Sequence, residues 1–165
     1  MPFRIRPYHR DDCAACRAVF VQSVREGTAK HYTLEQRAVW APLGPPTPAF
    51  CQKLEDQQVF VATHDGEIIG FMSLTSAGYL DLAFVLPRWM GRSVAQTLYE
   101  RLVEWALDHG LTHLRTHASH FARPFFARNG WTVDHPETVS RDGQSFERFA
   151  MSIDLRRFAF NLDYN

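Results

Sequence analysis

Polar and apolar residues alternate along "FRIRPY" at 3–8, which predicts a strand. The period then lengthens: Cys16, Val19, Phe20 and Val24 recur at helical spacing, with Asp11 or Asp12 placed to cap the helix they define. A second helix is expected in "HYTLEQRAVWAP", where Thr33 and Gln36 stand in capping-box spacing and Pro42 closes the segment. "PLGPPTP" at 42–48 is rigid punctuation, and "AFCQKLED" beyond it fits a short helix. From Val59 the alternation returns. "VFVATHDGEIIGFMSLT" makes two strands around Asp65 and Gly66, which favour a hairpin turn, and "YLDLAFVL" at 79–86 adds a third, so the three form a meander.

The strongest helical pattern is "SVAQTLYERLVEWALDHG", with Val94, Leu98, Leu102, Trp105 and Ala106 on one side and Gly110 as its stop. After it come a strand in "LTHLRTHAS", a shorter helix in "FARPFFARNG" with Pro124 in its first turn, and two strands joined through Asp142 and Gly143. This order predicts a mixed α/β (α+β) fold, a sheet with helices on both faces. We assign one domain to 1–155 and read the aromatic segment 156–165 as either an edge strand or a contact in a homodimer.

Composition narrows the partners. Eighteen Lys and Arg balance 18 Asp and Glu, so no global charge recruits nucleic acid or an anionic membrane. No apolar run reaches membrane-span length and the amino terminus lacks a signal-peptide pattern, so a soluble, cytoplasmic chain is expected. Cys13, Cys16 and Cys51 are an odd set, read here as reduced thiols. "CAAC" at 13–16 puts two thiols on one helix face, but a zinc site needs further ligands and a redox motif needs a preceding strand, so neither chemistry is assigned. No metal is expected from the histidines either, because a strand separates His113 and His117 by roughly 13 Å along its axis.

"AFVLPRWMGRSVAQTLYERLVEWA" and, after the next strand, "ASHFARPFFARNGW" carry a resemblance over nearly the whole chain to the GCN5-related N-acetyltransferase (GNAT) family. With "HYTLEQRAVWAP" and the Ala-Ser-x-x-Ala-x-x-Phe-Phe pattern, the chain resembles the YafP-like branch of that family. The resemblance implies a mostly antiparallel sheet of six to seven strands, splayed between the fourth and fifth. It also implies acetyl-CoA as cosubstrate, an amine acceptor, direct attack in a ternary complex, and a Gln/Arg-x-x-Gly-x-Gly/Ala loop for the CoA pyrophosphate. That loop falls on Met90 to Ala95, with Met90 in place of Gln/Arg and Ser93 in place of the first glycine. The binding groups are main-chain N–H donors at a helix start, so small residues such as Ser93 and Ala95 suffice for a diphosphate to approach. Gly91 and Val94 share the loop, and Arg88 and Arg92 are placed as charge-assisted donors to CoA phosphates.

The resemblance assigns pantetheine to the backbone of Phe84 and Val85 and to a wall made by Ser119, Ala122, Phe125 and Phe126. Phe126 stands where the family often has a tyrosine that protonates the leaving thiolate, so Tyr99, Ser119, water or no dedicated acid fills that part. For the acceptor's proton, Asp81 is the first candidate, a carboxylate on an apolar strand expected to share a face with Tyr79 and Ala83. His117 or His120 is the second, as base or as part of a relay. His31, Tyr32, Glu35 and Trp40 are assigned to acceptor selection. The leading function is acetyl transfer to a small-molecule primary amine. A CoA-binding module without turnover, and acetylation of a protein amine, stand as alternatives.

Overall fold

The computed structural model describes residues 2–157; the expected aromatic tail lies outside the described residues from position 158 onward. Strand β1 (Arg4–Pro7) leads through a 3-10 turn into α1 (Cys13–Gly27), followed by α2 (Leu34–Trp40) and α3 (Pro48–Asp56). Strands β2 (Gln58–His64), β3 (Glu67–Leu74) and β4 (Tyr79–Val85) come next, then α4 (Val94–Asp108), β5 (His113–Ser119), α5 (Arg123–Arg128), β6 (Thr132–Arg141) and β7 (Gln144–Asp154).

The seven strands form one sheet in the order β1-β2-β3-β4-β5-β7-β6, antiparallel except for β4 beside β5. Both hairpins turn where Asp-Gly was expected to turn them: Asp65 and Gly66, and Asp142 and Gly143, all have positive φ. Helices cover both faces. Phe84 meets Phe20 of α1 at 4.8 Å between ring centroids, whereas the next residue, Val85, lies beside Val94 of α4 across Gly70.

Several local expectations change. The α2 capping box forms, with Thr33 Oγ1 accepting from Gln36 N–H and Gln36 Oε1 accepting from Thr33 N–H. Asp12, by contrast, does not cap α1; Arg6 draws its carboxylate into an ion pair at 2.7 Å, and it accepts from the His9 amide. The thiols are not all free. Packing of α3 across α1 brings Cys13 and Cys51 to a Cα separation of 5.6 Å and they form a disulfide, leaving Cys16 buried and unpaired with either. The "CAAC" pair itself is not bonded, because the partner of Cys13 comes from another helix.

Alternation on β4 also breaks at Asp81. Ser73 pairs with Leu82 and Leu74 with Leu80, so Asp81 is the extra residue of a bulge, held open by the buried Ser73 hydroxyl accepting from Leu82 N–H. Since Met72 pairs with Ala83, Ala83 shares the face of Leu80 rather than that of Tyr79.

Candidate active site

The loop between β4 and α4 brings Gly91 and Ser93 into the left-handed region, with φ of 73° and 68°. Ser93 is the N-cap of α4, but its side chain makes no capping bond. The Val94, Ala95 and Gln96 amides begin the helix and have no intrahelical acceptor by geometry, and all three residues line one large cavity. A fifteen-residue helix thus presents its positive end and its free donors to this cavity. Val94 contributes main chain alone, since its side chain is buried beside Gly70. Met90 turns its side chain toward α1, so close that a Cβ on Gly27 would lie 2.6 Å from Met90 Cε. Gly27 therefore allows α1 to seat against the loop.

Only Tyr79 with Arg115 and Leu80 with Thr116 join β4 to β5. Beyond Leu80 the two strands diverge, and the β5-facing edge of β4 from Leu82 to Val85 has no strand partner. Polar main chain left open in this way needs an acceptor or donor from a ligand or water. The cavity, about 1120 Å³, runs from the first turn of α4 through this gap to the region under α1 and α3. Phe84, Val85, Ser119, Ala122, Phe125 and Phe126 all line it. Phe126 is nevertheless almost wholly buried and packs on Trp131 at 4.9 Å, so it serves the core as well as the wall.

At the far end stand the proton-transfer candidates. Asp81 Oδ2 receives Gln57 Nε2 at 2.8 Å and Lys53 Nζ at 3.3 Å, which leaves Oδ1 for another donor. The Tyr79 hydroxyl lies 2.7 Å from His117 Nδ1, His117 Nε2 is 3.4 Å from Glu137 Oε1, and Arg148 pairs with the same carboxylate. Burial first, and then the Arg148 charge, lowers the His117 pKa from its ordinary value against the opposing pull of Glu137. The ring is accordingly neutral near pH 7 and can take a proton. Burial, reinforced by the Asp81 charge, raises the Tyr79 pKa, so its hydroxyl keeps its hydrogen.

Not every expected residue reaches the cavity. Arg88 pairs with Glu67 and the Arg92 guanidinium lies 5.5 Å from the Trp89 ring; neither lines it. His31 is exposed against Phe121, Glu35 is exposed, and Tyr32 is buried with its hydroxyl accepting from the His120 amide, so Trp40 alone of the four acceptor candidates lines the cavity. Ser119 accepts from the Ala122 amide at 3.1 Å, and His120 pairs with Glu147. The Tyr99 hydroxyl is taken up by the Trp131 indole at 2.9 Å and lies outside the lining.

Sequence reasoning passed over Arg17, Lys53, Gln57, Glu137 and Arg148. Lys53 and Gln57 are one helical turn apart at the end of α3, a spacing visible in the sequence, but nothing there pointed them at β4. Among the described residues no group of three or more His, Cys, Asp or Glu is arranged to hold a metal ion, and no helix is long and apolar enough to cross a membrane.

The sequence model of the acetyltransferase (GNAT) domain family matches residues 28–153. The chain is 30% identical over 148 residues to the uncharacterized N-acetyltransferase YafP of Escherichia coli K12, covering 90% of this chain and 93% of that protein. Its fold matches a GCN5-related N-acetyltransferase of Rhodopseudomonas palustris with a TM-score of 0.88 at 33% identity, over 94% of this chain and 97% of that one. The PaiA N-acetyltransferase of Thermoplasma acidophilum, solved in complex with coenzyme A, matches at 0.76 and 19% identity, over 93% and 99%. This chain belongs to the GNAT family, in a YafP-like part of it, and is an acetyltransferase.

Proposed function

We propose that the protein transfers the acetyl group of acetyl-CoA to a primary amine of a small molecule, by direct attack in a ternary complex. The observation that carries this reading is the single cavity joining the free amides of α4, the open edge of β4 and the Tyr79–His117 pair. The PaiA neighbour was solved with coenzyme A, which supports the same cosubstrate here. The amides of Val94, Ala95 and Gln96 would hold its pyrophosphate, and the main chain of Phe84 and Val85, with Ala122 and Phe125, its pantetheine arm. The cosubstrate supplies an activated acetyl thioester; the chain's own residues orient the acceptor and move its proton.

Asp81 Oδ1 attracts the acceptor's ammonium, with Oδ2 anchored by Lys53 and Gln57. The proton passes to the Tyr79 oxygen as that hydroxyl gives its own to His117 Nδ1, and Glu137 stabilises the imidazolium formed. Asp81, first expected to be the base, thus becomes an electrostatic anchor. Phe126 has no hydroxyl and Tyr99 lies outside the lining, which leaves the Ser119 hydroxyl or water to protonate a thiolate of modest basicity. The reading is tested by thiol release from acetyl-CoA across a panel of primary amines, with coenzyme A affinity from calorimetry. Release that depends on the amine supports it; no binding of coenzyme A, or no amine-dependent release, refutes it.

A further inference from the structure

We propose that the acceptor carries an acid group beside its amine, and that Arg17 of α1 binds this anion. The inference rests on the cavity being the acceptor pocket of an amine acetyltransferase. Arg17 lines that cavity, with its guanidinium 5.1 Å from the Phe20 ring and 5.5 Å from the Phe50 ring. Nη2 donates to the Pro42 carbonyl at 2.9 Å, but Nε is buried and meets no acceptor. A buried charged donor without a partner is costly, so this arrangement calls for a ligand atom.

Of the other cations that line the cavity, two are matched by carboxylates, and Arg128 and Arg141 are exposed to solvent. Lys53 faces Asp81 and Arg148 faces Glu137, whereas among the described residues no carboxylate lies within ion-pair distance of Arg17. A planar guanidinium with spare donors suits a carboxylate or another oxyanion.

The anion is not a phosphate of the cosubstrate held at the cradle. Ten residues of α1 separate Arg17 from Gly27, about 15 Å of helix, and Gly27 is the end that seats against Met90 of that loop. Arg17 instead belongs to the acceptor end. Its neighbour Phe20 touches Phe84 at 4.8 Å, Trp40 meets the same ring at 6.4 Å, and Phe84 sits on the open edge of β4. An acceptor that engages both Arg17 and Asp81 therefore carries an anion and an ammonium, with an apolar or aromatic body against Phe20, Phe50 and Trp40. Amino acids have that chemistry, and so do aminoalkylphosphonates.

The test compares acetylation of α-amino acids with apolar and aromatic side chains, each beside its methyl ester and its decarboxylated amine, with aminoalkylphosphonates as a further arm. The parent protein should favour the acids by about 10- to 100-fold in kcat/KM. Arg17→Met, which keeps an apolar stem on the two rings, should collapse that ratio to about one by raising KM for the acids, and Arg17→Lys should restore part of it. Coenzyme A affinity of each variant verifies that it is folded. Preference for carboxylate over phosphonate, or the reverse, identifies the acid group. Equal or better use of the esters and simple amines by the parent overturns the inference while leaving amine acetylation intact, as does a loss in Arg17→Met shared by acids and esters alike. Transfer to no amine at all overturns the amine-acetyltransferase reading, and this inference with it.

Discussion

At the α4 end of the cavity the groups that face inward are main-chain amides, presented by a loop whose side chains mostly turn elsewhere. At the α1–α3 end they are side chains, Arg17, Trp40, Phe50, Lys53 and Asp81, carried on four separate elements. A backbone site depends on room and on dihedral angles, so it survives the exchange of a motif glycine for serine or a motif glutamine for methionine. A side-chain site depends on residue identity and on whatever holds the helices in place. Charge placed in the first and slack introduced into the second should therefore have different consequences.

The largest effect is expected from Ser93→Glu. Ser93 begins α4 and borders the cavity, so a carboxylate there opposes a diphosphate at the same donors. Like charges in contact cost several kcal/mol, and coenzyme A affinity should fall by at least about 10³-fold. Ser93→Gln has the same bulk without the charge and should lose much less. Equal losses in calorimetry would show that space, not charge, governs the cradle.

Next comes the tether of the other end. The Cys13–Cys51 bond closes 38 residues and ties α3 to α1, and α3 carries Phe50 and Lys53. By loop entropy the bond contributes about 4 kcal/mol. Reduction, or Cys13→Ser, should lower the melting temperature by roughly 10 °C. It should also raise acceptor KM more than the Kd for coenzyme A, because the cradle lies at the distant end of α1. An equal rise in both would mean that the two ends of the cavity are not independent.

His117→Gln tests the proton route at a similar but smaller scale, an expected loss of about 10²-fold in kcat, or roughly 3 kcal/mol. The folded imidazole titrates below its ordinary 6.5, so kcat/KM should rise with pH through that lowered value and then level off. The sign for stability is the same. In the window beneath 6.5 the unfolded chain binds more protons, so this group's contribution is full above 6.5 and is lost as pH falls through the folded value. In His117→Gln the acid limb of the rate profile should disappear; an unchanged limb would assign the titration to another group.

The same contrast explains what could be read from the chain alone. Element order, both Asp-Gly hairpins, the α2 capping box and the splay position were legible because each is written in local spacing or in the strand–loop–helix sequence of the family. The small-residue loop that opens α4 was legible for the same reason. Arg17 and the Lys53–Asp81 pair were not, since their partners lie in elements that only tertiary packing brings together. Asp81 itself was noticed, but its setting was not: a bulge interrupts the alternation used to orient it, and the donors that engage it come from α3. The disulfide was missed because an odd count of cysteines in a chain without an export pattern argued for free thiols.

The smallest effect sharpens the backbone side of the comparison. Ser93 holds φ at 68°, where a side chain is disfavoured and glycine is not, and its hydroxyl makes no capping bond that would offset this cost. Ser93→Gly should therefore stabilise the fold by about 1 kcal/mol despite the added freedom of the unfolded chain, or roughly 2–4 °C in melting temperature. Coenzyme A affinity should stay within about threefold, because the Val94, Ala95 and Gln96 amides remain where they are. A marked loss of affinity without loss of stability would make the Ser93 hydroxyl a ligand in its own right, and the cradle would then be part side chain, like the opposite end of the cavity.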